Sequence, residues 1–191
     1  PGTWAGIRFA SDASDAIVDS DSNYVSGSIL QHSIVEYAGN AFDAAVVING
    51  SHPFVSNNLI KDCSSIAIDA SDLGGDWSNE GILIIEENTI LNNNGGIDIS
   101  AANVELTVNI TSNFILNNSG TGLKLTFGGA SPAADAYIKN NIISGNTGSY
   151  EGGMFIQYWT FSYVSIMNNL LYNNNACALT TDSCNSLNSY S

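Results

Sequence analysis

Three aspartates, Asp69, Asp72 and Asp98, have the residue type and placement that acid–base catalysis requires. Two carboxyl groups about 6.5 to 9.5 Å apart suffice for inverting glycoside hydrolysis, one donating a proton and the other activating water. The chain carries eighteen acids, so some pairs fall close by number alone. A second candidate is "DSDSN", in which Asp19, Asp21 and Asn23 alternate as hard oxygen ligands at the spacing that begins calcium loops. Tyr24 stands where such a loop needs glycine and Leu30 where it needs a bidentate glutamate, so a solvated acidic loop is the leading reading. Calcium bound there would be structural. The third candidate is the aromatic run "FIQYWTFSYV". Phe155, Gln157, Tyr158, Trp159, Phe161 and Tyr163, with Tyr150 just upstream, combine ring faces with a polar rim, which is how proteins hold sugar rings. The alternative is that these aromatics close a corner of the fold or contact another domain. His32 and His52 have no partner in register for a nucleophilic triad or a metal cluster.

Composition narrows the classes of partner. Four basic residues against eighteen acidic ones give a formal charge of −14, which repels phosphate backbones and anionic bilayers. Nucleic acid is excluded on that ground, and membrane insertion by the lack of any apolar run of eighteen residues. Such a surface suits a salty or extracellular setting, where self-repulsion is screened. Cys177 and Cys184 are close enough in sequence to pair, while Cys63 reads as a buried thiol. Twenty-five Asn and eighteen Gly with only three Pro argue against helices and for frequent tight turns.

What positions the candidates is a repeat. Taking Ser33, Asn58, Asn88, Asn113, Asn141 and Asn169 as anchors, the spacings are 25, 30, 25, 28 and 28 residues. Three places earlier stand Leu30, Val55, Ile85, Ile110, Ile138 and Ile166; two places later stand Val35, Ile60, Ile90, Ile115, Ile143 and Leu171. A further column, five places after the anchor, runs Ala38, Cys63, Asn93, Asn118, Asn146 and Asn174. Alternating segments follow, with Arg8, Val47, Ala67, Asp98, Lys124, Phe155 and Ala178 as their expected outward column. The residues just after the anchors, Ile34, Leu59, Thr89, Phe114, Ile142 and Leu170, either form an outward apolar stripe or are rotated inward by the turn. A unit of this period cannot bury its aliphatic columns alone, so it must stack on copies of itself.

The pattern Asn-x-Ile-x-x-Asn-x-Gly-x-Ile-x-Ile resembles the right-handed parallel β-helix superfamily, with its pectin-lyase-like architecture, from Trp4 to Leu179. The resemblance implies an all-β, single-stranded parallel β-helix of about seven rungs, three short strands per rung, with asparagine ladders. The expected organisation is one domain over 1–180, a piece of a longer chain, and a polar tail or cap over 181–191. The lyase and polygalacturonase signatures of that superfamily are missing, and Arg8 is the only arginine. The leading expectation is therefore a non-catalytic, extracellular or cell-surface module that binds polysaccharide or mediates adhesion, without a required cofactor. A polysaccharide lyase or glycoside hydrolase using Asp69, Asp72 and Asp98 is the alternative, and a structural spacer in a surface fibre a second. Open strand edges at the two ends imply neighbouring domains or self-association as further partners.

Overall fold

The computed structural model describes residues 4–73, 81–102, 104–128, 134–149, 151–158, 162–175 and 177–181, the last segment by its backbone only. The chain winds through three parallel sheets. Sheet A has seven strands, in order Ile7–Phe9, Ala44–Asn49, Ile66–Ser71, Gly95–Ala102, Leu123–Gly128, Glu151–Tyr158 and Cys177–Thr181. Sheet B stacks Ile29–Gln31, Phe54–Ser56, Gly81–Glu86, Leu106–Thr111, Ala134–Lys139 and Tyr163–Met167. Sheet C stacks Ile34–Glu36, Leu59–Lys61, Thr89–Leu91, Phe114–Leu116, Ile142–Ser144 and Leu170–Tyr172. Among the described residues seven strands occur in sheet A alone, so the number of complete turns falls below the seven expected. A small antiparallel hairpin, Ile17–Val18 with Tyr24–Ser26, lies outside the coil, and Tyr24 covers Phe54 with ring centroids 5.7 Å apart.

Registry follows the anchors. Ile60, Ile90, Ile115 and Ile143 are successive partners in sheet C, and all four are buried. The inward column of sheet B, Val55, Ile85, Ile110 and Ile138, is equally closed to solvent. Fully burying such a side chain is worth about 1.5–3 kcal/mol, so the columns supply the main stabilising term. From the inward residue of sheet B to that of sheet C the distance is always five residues, as in Val55 to Ile60 or Ile138 to Ile143. From sheet A to sheet B it varies: on the register column Phe9, Ile48, Ala70 it runs from seven residues (Ile48 to Val55) to twenty-one (Phe9 to Leu30).

The fixed corner is made by paired asparagines with divided roles. In Asn57-Asn58 and Asn140-Asn141 the first residue is left-handed, with φ of 54° and 59°, and the second enters the ladder with an ordinary backbone. The same holds one corner on, in Asn92-Asn93, Asn117-Asn118 and Asn173-Asn174, where the first residue has φ between 53° and 57°. Asparagine tolerates this conformation better than other residues with a Cβ. The left-handed turn thus belongs to the neighbour of the ladder residue, not to the ladder residue itself.

Each ladder asparagine serves three partners at once. Asn113 donates its backbone N–H to Asn141 Oδ1 at 2.9 Å and its Nδ2 to Asn141 Oδ1 and to the Ile85 carbonyl at 3.0 and 2.9 Å. Its own Oδ1 accepts the N–H and Nδ2 of Asn88 at 3.0 and 3.1 Å. The chain of contacts runs from Ser33, whose N–H donates to Asn58 Oδ1, to Asn169. A second ladder of the same form starts at the Cys63 N–H and passes through Asn93, Asn118 and Asn146 to Asn174. The glycine after the second ladder also has a reason: a Cβ at Gly96 would overlap the Gly122 carbonyl oxygen, and one at Gly122 would come within 2.8 Å of Asn146 Nδ2.

Replacing Asn113 by Leu strands the buried Asn88 N–H and the Ile85 carbonyl, and each such group costs about 1–3 kcal/mol. Urea unfolding of Asn113→Leu should show a loss of about 3 kcal/mol or more, whereas Ser33→Ala, which leaves the Ser33 N–H in place, loses under about 1 kcal/mol. Equal stabilities for the two variants would mean that the ladder contributes nothing beyond packing.

Candidate functional site

The outer face of sheet A gathers the candidate acids, and it does so through a register that differs from the expected one. Val47 pairs with Asp69, Asp69 with Asp98, Asp98 with Lys124, and Lys124 with Phe155, which in turn pairs with Thr180. The outward column therefore contains Asp69 where Ala67 was expected, and Ala67 is buried; at the last strand the backbone register brings Thr180, not Ala178, opposite Phe155. The reason is that a shift by two residues preserves the in–out alternation of a strand, so the Ile-x-Ile pattern could not distinguish Ile66 from Ile68 as the partner of Ile97.

This register sets Asp69 and Asp98 side by side on adjacent strands, about 4.8 Å apart along the stack. Lys124 Nζ donates to Asp98 Oδ2 at 2.9 Å. Lys124 is half exposed, so the pair adds up to about 1 kcal/mol and mainly fixes the Asp98 carboxylate. Among the described residues Asp69 has no such partner. Burial, and then the neighbouring charges of Asp98 and Asp43, push its carboxyl above the usual range. Asp72 lies at the end of the same strand with φ of 50° and accepts Asn49 Nδ2 at 3.0 Å. The three acids thus share one face, with Asp69 and Asp98 forming the closest pair.

A second outward column on this face is polar: Asn49 pairs with Ser71, and Ser100 with Thr126 and Thr126 with Gln157. A shallow cavity of about 340 Å³ opens at its margin, lined by Asp72, Leu73, Ser100, Ala101, Ala102, Thr126 and Gly128. Phe155 and Gln157 stand beside these residues on the Glu151–Tyr158 strand, and Tyr158 at its end is exposed. Tyr150, Trp159 and Phe161 lie outside the described residues. So does Cys184, and with it any pairing to Cys177.

Tyr163 does not join this face. It begins the next strand of sheet B, where it packs against Tyr137 with ring centroids 6.0 Å apart, and Lys139 Nζ sits 4.8 Å from the Tyr137 ring. The aromatic run is thus divided between two sheets.

The remaining candidates have structural partners. Both oxygens of the Asp19 carboxylate meet Asn23 Nδ2, at 3.2 and 3.1 Å, and Oδ1 also accepts the N–H groups of Asp21 and Asn23 at 2.9 Å. The Asn23 side chain holds this carboxyl below its usual range. Asp19 thereby closes the outer hairpin. Among the described residues no group of three His, Cys, Asp or Glu side chains could hold a metal ion. His52 is buried, its Nε2 3.1 Å from the Leu73 carbonyl and its backbone N–H donating to Asp15 at 2.7 Å, which ties the hairpin region to the wall of the coil.

The stripe after the anchors faces outward along sheet C. Ile34, Leu59, Thr89, Phe114, Ile142 and Leu170 are successive register partners, and Ile34, Phe114 and Leu170 are 68%, 46% and 52% exposed. The turn does not rotate them inward.

The family described as "Right handed beta helix region" matches residues 6–135, more than half of the chain, and the three stacked parallel sheets have that architecture. The chain belongs to the right-handed β-helix family. No solved structure matches it.

The raised Asp69 carboxyl makes a signed prediction. Ionising Asp69 is harder in the folded protein than in the unfolded chain, so the folded state holds its proton longer and the ionised form costs stability. That cost is present at neutral pH and vanishes as pH falls through the carboxyl range. Asp69→Asn should therefore melt higher than wild type at pH 7, and the two melting temperatures should converge on acidification; a difference that stays constant with pH contradicts the assignment.

Proposed function

We propose that the outer face of sheet A binds a polysaccharide of low charge, as a non-catalytic module of an extracellular or cell-surface protein. The observation that supports this reading is the adjacency of Phe155 to the polar column Ser100, Thr126 and Gln157, the first two of which line the shallow cavity. An aromatic ring accepts the CH-rich face of a sugar while hydroxyl and amide groups bond its rim. Three of the four basic residues are already engaged: Lys124 with Asp98, Lys61 with Glu36 at 3.0 Å, and Lys139 over the Tyr137 ring. Little positive charge is left to neutralise a polyuronate, and the chain as a whole repels one. Neutral glycans fit the face better. Adhesion through such a glycan is the biological role that this chemistry serves.

The enzymatic alternative keeps one supporting observation, the Asp69–Asp98 pair with Asp69 shifted upward. Two carboxyls whose environments push their acidities apart are the usual arrangement of a general acid and its partner. On that reading Asp69 is the proton donor and Asp98, held in place by Lys124, is the second carboxyl. The spacing of adjacent strands is shorter than the interval an inverting pair needs for its water.

A glycan array with wild type, Phe155→Ala and Trp159→Ala separates the readings. Binding to neutral polysaccharide should fall about tenfold or more in Phe155→Ala, the loss of a stacked aromatic. Trp159→Ala tests whether the adjoining segment belongs to the same contact. Release of reducing or unsaturated ends that disappears in Asp98→Asn establishes the enzyme instead, and binding unchanged in both aromatic variants removes the site.

A further inference from the structure

The two ends of the coil are unlike. At the first turn the inward residues Leu30 and Val35 are already buried, and Trp4 bridges to Ala38 and donates its indole N–H to the Glu36 carbonyl at 2.9 Å. At the last turn the inward column surfaces. Ile166 is 39% exposed, whereas Ile138, its register partner one turn earlier, is 0% exposed. Val164 and Leu171, stacked on Ala136 and Ile143, are only partly buried although those partners are fully so.

The ladders end there in the same unfinished way. In every earlier turn the ladder N–H donates to the Oδ1 of the next asparagine, as Asn141 does to Asn169 at 2.9 Å and Asn146 to Asn174 at 3.0 Å. Among the described residues nothing accepts the N–H groups of Asn169 and Asn174. Each ladder Nδ2 also reaches the carbonyl three places before the preceding ladder residue. Asn169 bonds Ile138 at 2.7 Å and Asn174 bonds Ile143 at 2.8 Å. By the same rule Ile166 and Leu171 carry the carbonyls that a further turn would use.

We infer that this end is a docking surface for one more polypeptide turn bearing the Asn-x-aliphatic repeat, laid parallel on strands Tyr163–Met167 and Leu170–Tyr172. Two asparagines five residues apart supply the Oδ1 acceptors and Nδ2 donors, while aliphatic residues three places before and two places after the first cover Ile166 and Leu171, as Ile138 and Ile143 pair with them one turn earlier. This is strand addition with a side-chain code: the backbone edges give affinity and the paired amides give register.

A second copy of the chain fits less well in either orientation. Its first turn would present Ser33 and Ala38 at the ladder positions, neither of which has an amide oxygen, with Trp4 in the way. Two last turns face to face would set N–H donors against N–H donors, because the Oδ1 atoms of Asn169 and Asn174 are already taken by Asn141 and Asn146.

The test uses the full chain and a fluorescent peptide copying residues 134–147, "ADAYIKNNIISGNT", which contains both ladder asparagines at the required spacing. Anisotropy should show saturable binding below about 1 mM, weakened about tenfold or more in a peptide carrying Asn141→Leu and Asn146→Leu. Ile166→Lys, and independently Leu171→Lys, should abolish it, while Ile34→Lys on the outer face of sheet C leaves it unchanged. Hydrogen exchange at the Asn169 and Asn174 amides should slow on binding. Absence of saturation at 1 mM, equal affinity for both peptides, or indifference to both lysine variants overturns the inference. So does concentration-dependent dimerisation in sedimentation that Ile166→Lys abolishes and the peptide cannot compete away, which would assign the surface to a second copy.

Discussion

An amide that must donate and accept in the same plane is the constraint on which this coil depends. At each corner between sheets B and C the chain turns sharply and exposes backbone groups toward the interior, where no water reaches them. The side-chain amide of one asparagine answers a carbonyl of the turn below and accepts from that turn's asparagine. A carboxylate cannot donate, and an aliphatic side chain can do neither. Because the bonds point along the stack, they also fix each winding on the next to the residue. A slip by one position would carry a whole aliphatic column from the core to the solvent. Ladder and core are therefore mutually dependent: the amides hold the registry and the buried columns supply most of the free energy.

Sheets B and C were legible in the sequence for this reason. The anchor, the aliphatic three places before it and the aliphatic two places after it form a rigid ruler, and the structure stacks all three columns as the spacing implies. Sheet A was less legible. Its strands follow a corner of variable length, and alternation alone is blind to a shift of two, so Ala67 stood where Asp69 belongs. That one shift changes the chemistry of the face, since it brings Asp69 beside Asp98. The aromatic run was misleading in a different way: contiguity in sequence suggested one surface, but the chain crosses from sheet A to sheet B within it, and Tyr163 leaves Phe155 behind. The split roles in the Asn-Asn pairs were also hidden, because both residues have the same side chain and only the backbone distinguishes them.

Electrostatics and hydrogen bonding divide the surface by function. Sheet A displays ionisable and hydroxyl groups in ordered rows, sheet C displays aliphatic and aromatic groups, and sheet B is partly covered by the outer hairpin. A solenoid makes this possible because outward residues on one sheet contribute nothing to the interior, so each face can take on its own character while the columns behind it stay alike. The concentration of charge on the chain adds a general repulsion that short-range contacts at any one face must overcome.

The unequal corners bear on how such a protein diversifies. The five-residue passage from sheet B to sheet C admits no change of length, because a single added residue would throw the amides out of line. The passage from sheet A to sheet B already ranges from seven to twenty-one residues while the columns on either side remain in register. Length polymorphism is thus barred from one corner, narrow at the passage from sheet C to sheet A, which runs from nine residues (Ile90 to Ile99) to thirteen (Ile143 to Ile156), and widest between sheets A and B. The widest of these passages borders the face with the acids and the aromatic, so descendants can graft new loops beside that face without renegotiating the scaffold that holds it.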